Sequence, residues 1–179
     1  VGCKLFYPDG QLQHVGGIIR WPQGLAGHIG HLEHDEGQYE TMKDIPYVIA
    51  AAAAFRQSLL NDVGFLDEGY FLYYEDADYS FRARKAGFPV LVVPKALVYH
   101  DEQSRWNSTK LYHLVLSGLI FFDKQASFWQ KPYLALYGTI RRVKNRFDLL
   151  RSKEGARDVR RAYYHFSHDR STDHITHFR

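Results

Sequence analysis

Short blocks of apolar residues separated by turn residues fill the first part of the chain. Val1–Tyr7 and Gln11–Ile19 have the apolar character of strands, and Pro-Asp-Gly at 8–10 lies between them, which predicts a β-hairpin. Residues 20–46 are rich in Gly, Pro, His and acids, so they predict a loop. Tyr47–Phe55 is an apolar run with five alanines. It predicts a buried strand that another backbone or a ligand can approach closely; tight packing of a helix on a sheet explains it equally well.

Helical and strand patterns then alternate as far as His100. The predicted elements are a helix over Arg56–Val63 ending at Gly64, a helix over 75–86 ending at Gly87, a strand over Phe88–Val93 closed by Pro94, and a short strand over Ala96–Tyr99. This alternation predicts an α/β fold.

The pattern becomes purely helical after Ser104. Successive helices are expected over Thr109–Lys124, Trp129–Leu150 and Lys153–Phe166, before a polar, His-rich tail. The sequence thus predicts three parts: an α/β domain at 1–104, a helical extension at 105–166, and a tail at 167–179.

The charge also differs between the α/β part and the helical part of the chain. Residues 1–102 carry 8 Lys and Arg against 14 Asp and Glu, whereas the remainder carries 15 against 6. The single cysteine, Cys3, excludes an internal disulfide and fits a reducing compartment. The longest apolar runs fall short of the ~20 residues that span a bilayer. Because the chain opens on Val1 within an apolar stretch, we expect it to be the interior of a longer protein.

Three carboxylates, Glu75, Asp76 and Asp78, follow an aromatic run at 70–74 and begin the second predicted helix. Acids at a helix start interact favourably with the helix dipole, so a well-capped surface helix is one interpretation. The other is catalytic, because the apolar run would bring the acids to the end of a buried strand. There a carboxylate can be desolvated and used as a base.

The order of several short motifs resembles the second half of family 2 glycosyltransferases, the rhamnosyltransferase-like enzymes with a GT-A fold. The residues that carry the resemblance, over roughly 1–125, are Tyr7-Pro8-Asp9-Gly10, Gln13-His14, Gly16-Gly17, Phe65-Leu66-Asp67-Glu68, Glu75-Asp76-Ala77-Asp78, Arg82, Gly87, Pro94-Lys95-Ala96, His100 and Ser104. The resemblance implies a partial GT-A-type mixed sheet with flanking helices, followed by the helical extension.

The resemblance also implies roles for individual residues. Asp76, paired with Glu75, takes the position of the general base that deprotonates the acceptor hydroxyl. His100 takes the position of a ligand to the Mn²⁺ or Mg²⁺ on the donor diphosphate, unless it is a hydrogen-bonded rim histidine. Asp67 and Glu68 would help to hold the acceptor, or cap the next element.

Asp76-Ala77-Asp78 is a literal D-x-D sequence, but the family's metal-binding D-x-D lies upstream. Asp78 is therefore expected to position the substrate site by pairing with Arg82 four residues later, rather than to bind metal. The nucleotide-binding half of the family has no counterpart here, so the isolated chain should bind a nucleotide sugar poorly. Ser117-Gly118 replaces the family's frequent Arg-Asn pair.

Histidines form two further groups. His28, His31 and His34 recur every three residues and could bind zinc on a helix, but Gly24, Gly27 and Gly30 disfavour a helix there. A mobile loop is the preferred interpretation. The other group, expected to be solvated, comprises His165, His168, His174 and His177.

The leading functional hypothesis is an inverting glycosyltransferase of cell-envelope polysaccharide biosynthesis. It would use a nucleotide-sugar donor and a glycan or lipid-linked acceptor. One alternative is a non-catalytic remnant or carbohydrate-binding module. A basic nucleic-acid-binding protein is another, disfavoured by the acidic first half and the lack of a groove-reading motif, so no nucleic acid is expected as a partner.

The basic stretch at 130–165 is also typical of a segment that contacts an anionic surface. It carries ten basic residues against Asp148, Glu154 and Asp158, and aromatic residues precede it at 128–137. Such a helix can lie in an anionic membrane interface, although a solvated helical pair explains it too. The sequence therefore predicts a cytoplasmic protein, peripheral on the inner face of the cell membrane.

Overall fold

The computed structural model describes residues 1–101 and 107–168. It confirms the predicted α/β class: a small mixed sheet with flanking helices is followed along the chain by a helical extension, as expected for a partial GT-A-type fold. The elements, in chain order, are β1 (Gly2–Phe6), β2 (Leu12–His14), β3 (Gly16–Arg20), β4 (Leu25–Ile29), α1 (Gln57–Val63), α2 (Glu75–Lys85), β5 (Val92–Tyr99), α3 (Ser108–Gln125), α4 (Lys131–Leu150) and α5 (Ala156–His168).

Strand β1 is the centre of the three-stranded sheet, whose order is β2-β1-β5. All five β1 residues are buried. The predicted hairpin is confirmed: β2 is antiparallel to β1, and the Gly10 N–H donates to the Tyr7 carbonyl (3.0 Å) in the turn between them. Gly10 has a φ of 88°, which a side chain would disfavour. Strand β5 lies parallel to β1 on its other side.

The expected return strand at 11–19 divides at Val15, and the loop predicted at 20–46 contains a strand. β3 pairs with β4, and the chain reverses between them through a short 3-10 turn at 21–23 ended by Gly24, which has a φ of 58°. Sequence reasoning missed β4 because its two small residues, Ala26 and Gly27, weaken the strand pattern. Gly17 is essential to β3, since a Cβ there would lie 2.0 Å from the Tyr47 ring.

The buried strand predicted over Tyr47–Phe55 is wrong. Tyr47 and Val48 are buried, but the alanines that follow are partly or fully exposed, and Ala50–Ala52 form a 3-10 turn. Alanine has too little side chain to hold a strand by packing, so the run follows local backbone preference instead.

The two strands predicted around Pro94 are in fact one, β5. The register against β1 shifts between Cys3 and Lys4, and this irregularity accommodates the proline, which has no N–H for the ladder. Residues 88–91 precede the strand: Leu91 forms an isolated bridge with Asp44, and the Val90 carbonyl accepts from the Ile45 N–H at 3.1 Å.

The described residues divide into two compact units. The first comprises 1–19, 26–66 and 76–101, and the second comprises 20–25, 67–75 and 107–168. The core of the first unit is a cluster that includes Phe6, Leu12, Ile45 and Val48, onto which α2 packs Tyr79 and Ala83. Helix α1, predicted from Arg56 to Val63, ends as expected at Gly64.

Three helices dominate the second unit, as predicted. Asn107 caps α3 by accepting from the Lys110 N–H (2.9 Å), and Trp21 stacks on Phe121 of that helix. None of the described helices is both long and apolar enough to cross a membrane. The predicted boundary at 104/105, the tail from 169 onward, Ser104, His174 and His177 lie outside the described residues.

Candidate functional site

The predicted base, Asp76, is the second residue of α2, and main-chain donors hold its carboxylate. Oδ1 accepts from the Ala77 N–H at 2.7 Å, and Oδ2 accepts from the Ala50 N–H at 3.2 Å. Two such hydrogen bonds and the positive end of the helix dipole all favour the ionised form of a carboxyl group. Asp76 is only partly buried. The arrangement gives an oriented carboxyl group that an incoming hydroxyl could reach.

Glu75, the other half of the acidic pair, opens α2. Its Oε2 atom is buried and has no hydrogen-bond partner among the described residues. Because buried polar atoms are almost always paired, such an oxygen calls for a partner, which an ordered water, an ion or a ligand can supply.

The predicted ion pair between Asp78 and Arg82 is confirmed. Arg82 Nε lies 2.8 Å from Asp78 Oδ2, and Asp78 is only 1% exposed. The same guanidinium donates to the carbonyls of Val63 (3.0 Å) and Phe65 (2.9 Å). The pair therefore attaches the chain after α1 to α2, which fits a positioning role. Contact of either residue with substrate stays a prediction.

Asp67 makes the contacts expected of a residue that stabilises a turn. Its Oδ1 accepts from the Gly69 N–H at 2.8 Å, and its Oδ2 pairs with Lys124 of α3. Glu68 is exposed. Binding of an acceptor by Asp67 and Glu68 is not tested by these contacts.

The aromatic run at 70–74 is irregular, so the strand expected to lead into the acids is wrong. Tyr73 and Tyr74 both have a φ of 67°, in the left-handed region that residues with side chains avoid. Each such residue costs about 1–3 kcal/mol and persists only where its surroundings impose the conformation.

Helix α3 supplies those surroundings. Ser117 Oγ donates to the Leu72 carbonyl at 2.8 Å, and a Cβ on Gly118 would approach the Tyr74 ring to 3.2 Å. The Tyr74 ring packs on Phe121, with centroids 5.3 Å apart. Ser117-Gly118, whose role was open from sequence, therefore holds the strained run that precedes the acids.

His100 follows β5 at the carboxyl edge of the parallel β1–β5 pair, where ligands of α/β proteins commonly bind. Its Nδ1 donates to Gln13 Oε1 of β2 at 2.8 Å, and its backbone N–H donates to the Phe6 carbonyl at 2.8 Å. In the neutral tautomer that this acceptor favours, the proton is on Nδ1 and the lone pair is on Nε2. Histidines that ligate metals show this pattern, in which the second ring nitrogen is fixed by a neighbouring acceptor.

The described residues contain no group of three or more His, Cys, Asp or Glu side chains that could hold a metal. His100 alone is therefore an incomplete metal site. Of the zinc candidates, His28 lies in β4, and its Nδ1 is 3.0 Å from Nδ1 of His14. Burial and the neighbouring His28 lower the pKa of His14 to about 3, so His14 is neutral at physiological pH.

Sequence reasoning missed several long-range contacts. In the first unit, Gln13, the partner of His100, was part of the quoted motif without a role. In the second unit, Ser117, Gly118 and Lys124 lie far along the chain from the residues they contact, Leu72, Tyr74 and Asp67. Nothing local in a sequence marks such long-range partners.

Comparison with known proteins gives partial matches, and no family model matches the chain. The chain is 36% identical over 112 residues to an uncharacterised protein of Sinorhizobium fredii, an alignment covering 58% of the chain and 12% of that protein. It is 28% identical over 112 residues to the O-antigen biosynthesis protein RfbC of Myxococcus xanthus, covering 59% and 9%. It is also 31% identical over 94 residues to the N-acetylglucosaminyl-diphospho-decaprenol L-rhamnosyltransferase of Mycobacterium tuberculosis, covering 50% and 31%. The chain thus matches less than a third of the length of each relative.

Proposed function

We propose that this chain is the acceptor-side, catalytic part of an inverting glycosyltransferase that moves a sugar from a nucleotide donor to a hydroxyl of a glycan or lipid-linked acceptor. The observation that carries the proposal is the carboxylate of Asp76, held and oriented by two main-chain N–H groups at the start of α2. Similarity to proteins named for O-antigen biosynthesis and for rhamnosyl transfer supports the same class of reaction.

Asp76 acts as the general base. As the acceptor oxygen attacks the anomeric carbon, its proton moves to the Asp76 carboxylate. The new carbon–oxygen bond forms while the bond from the sugar to the nucleoside diphosphate breaks, and the diphosphate leaves with that electron pair. A single displacement of this kind inverts the anomeric centre and needs only one base.

The neighbouring residues keep that base in place. The Asp78–Arg82 pair attaches α2 to the segment after α1, which fixes the helix from which Asp76 projects. Acceptor contacts of Glu75, whose Oε2 atom is buried and unpaired among the described residues, and of Asp67 and Glu68 remain part of the proposal. These substrate contacts rest on the family resemblance.

A divalent ion, Mn²⁺ or Mg²⁺, fits His100 because the hydrogen bond to Gln13 leaves Nε2 with the lone pair. Such an ion would neutralise charge on the leaving diphosphate. The other ligands would come from the diphosphate and from protein outside this chain.

The experiment is a transfer assay on the full-length gene product with a panel of nucleotide sugars and lipid-linked acceptors. Inverted anomeric configuration in the product, determined by NMR, supports the proposal. Retained configuration, or binding of donor and acceptor without any product, contradicts it; the second result would indicate a carbohydrate-binding module.

The metal assignment has its own control. His100→Ala should raise the Mn²⁺ or Mg²⁺ concentration for half-maximal donor binding by about tenfold or more, because a ligand is lost. His34→Ala, at an exposed loop position, should leave the titration unchanged. If both variants needed the same metal concentration for half-maximal donor binding, His100 would have a structural role rather than a role as a metal ligand.

A further inference from the structure

Helix α4 carries a continuous apolar stripe on its exposed side. The stripe, which begins just before the helix, consists of Trp129, Tyr133, Leu136, Ile140, Val143, Phe147 and Leu150. Successive members are four or three residues apart, so all seven lie along one line of the helix surface. All seven are exposed: Trp129 by 79%, Leu136 by 63% and Leu150 by 82%.

The other side of α4 is the one that packs within its own unit. Asn145 is buried and donates to the Ala156 carbonyl of α5 at 2.9 Å, and Arg142 lies over the Tyr163 ring at 4.9 Å. Leu134 lies close to Gly24. The helix therefore has a packed face that fixes it, and the stripe is not needed for that packing.

An apolar stripe of this length on a surface indicates a binding partner, because monomeric proteins rarely expose large contiguous apolar patches. Phe128, 77% exposed, extends the stripe beyond Trp129 with a further aromatic ring. Three of the aromatic side chains thus lie at one end of the stripe, and the rest of the stripe is aliphatic apart from Phe147.

The charges beside the stripe identify the partner. Arg146 is four residues before Leu150 and Arg151 is four after Phe147, so both flank the stripe. Lys144, four residues after Ile140, also flanks it and pairs with Asp148 at 2.6 Å. The other flanking positions, 130, 132, 137 and 139, hold no acidic residue. A second copy of α4 laid on the stripe would place like charges side by side, which disfavours a homodimer. An anionic surface complements both the stripe and its basic edges.

We propose that α4 is an interfacial helix that docks this protein on an anionic lipid bilayer. The stripe inserts at the boundary between headgroups and acyl chains, Trp129 and Tyr133 lie at headgroup level, and the basic edges contact anionic headgroups. Docking does not require sugar transfer, so this proposal and the proposed function can fail separately.

The test is co-sedimentation of the full chain with vesicles of phosphatidylcholine alone or with added phosphatidylglycerol. Binding to the anionic vesicles should be about tenfold tighter or more, and should weaken as salt rises. The double variant Leu136→Ser/Ile140→Ser should lose at least about tenfold in affinity, since it removes two inserted apolar side chains. Circular dichroism should be unchanged, because both side chains are exposed.

Two controls make the outcomes decisive. Tyr164→Ser removes an equally exposed aromatic ring from α5 and should leave binding unchanged. Arg146→Gln/Arg151→Gln should abolish the preference for anionic vesicles while keeping the fold. Equal binding to both vesicle types, no binding to either, or a dimer in sedimentation equilibrium that Leu136→Ser/Ile140→Ser dissociates would each overturn the proposal, the last in favour of a second copy of this chain.

Discussion

Two regions of the second unit, the segment 67–75 and helix α4, both contain aromatic residues but differ in the burial and backbone conformation of those residues. In the first, Tyr74 is buried against Phe121, and the backbone at Tyr73 and Tyr74 is forced into the left-handed region. In α4 the backbone is regular, and the aromatic residues Tyr133 and Phe147 are exposed.

The contrast separates apolar side chains that are buried within the unit from apolar side chains that stay exposed to a partner. The 67–75 segment retains strain because α3 contacts it from several positions, and strain of this kind is concentrated at functional sites. The α4 stripe retains exposed apolar area, which is stabilised only when something covers it. A segment held in a strained conformation by packing and a helix with an exposed apolar face should therefore respond differently to the same substitution.

Leucine in place of glycine should give the largest difference between the two regions. Gly118→Leu forces a side chain against the Tyr74 ring and should lower the free energy of unfolding by about 1–3 kcal/mol. Gly138→Leu, in α4, has no atom within 4 Å of its Cβ and should raise that free energy by up to about 1 kcal/mol through helix propensity. Urea denaturation gives the free energy of unfolding of both variants. Equal changes in that free energy would contradict the comparison of the two regions.

Removing a hydroxyl from a helix should give a smaller difference in unfolding free energy between the two regions. Ser117→Ala leaves the Leu72 carbonyl without its donor and should cost about 1 kcal/mol of unfolding free energy. Thr139→Ala removes an exposed hydroxyl of α4 that donates to the Ala135 carbonyl, and should be neutral or slightly stabilising. If Thr139→Ala proved the more damaging, α3 could not be the support of the 67–75 segment.

Acidification should give the smallest difference between the two regions, because it acts through His113 beside the 67–75 segment, while His14 of the first unit contributes its own acid-dependent loss of stability to every variant. Burial, with a contribution from Arg161, lowers the pKa of His113, whose ring packs on Phe71. The folded state therefore disfavours the protonated ring, and this part of the stability is lost as pH falls below the unfolded value of about 6.5. His113→Phe, which cannot protonate, should show a shallower loss of unfolding free energy between pH 7 and 5. His34→Gln should retain the slope of the unchanged protein.

Elements with a regular apolar spacing, or with clear turn residues at their ends, could be predicted from the sequence. The five helices follow from apolar spacing and from stops such as Gly64 and Gly87, and the first hairpin follows from its Pro-Asp-Gly turn. The failures share a cause: β4 contains Ala26 and Gly27, the 47–55 run is mostly alanine, and 70–74 is an apolar run without strand geometry. In each case the side chains present did not determine the backbone: β4 is held by pairing with β3 and the 70–74 run by contacts with α3, whereas the alanine run is held by neither.

The candidate site could be predicted only in its local part. Glu75 and Asp76 at the start of a helix, and the pairing of Asp78 with Arg82, follow from spacing along the chain. The contacts of Asp76 with Ala50 and of His100 with Gln13 join distant segments, and no single-sequence pattern contains them.

The central claim is that Asp76 is the base, and the most direct measurement is sugar transfer by Asp76→Asn in the full-length gene product, beside Asp62→Asn as an exposed acid on α1. Asparagine keeps the shape of the side chain but cannot accept the proton, so transfer should fall by about 10²-fold or more while donor binding by calorimetry is retained. Asp62→Asn should transfer normally. Near-normal turnover by Asp76→Asn would contradict the account.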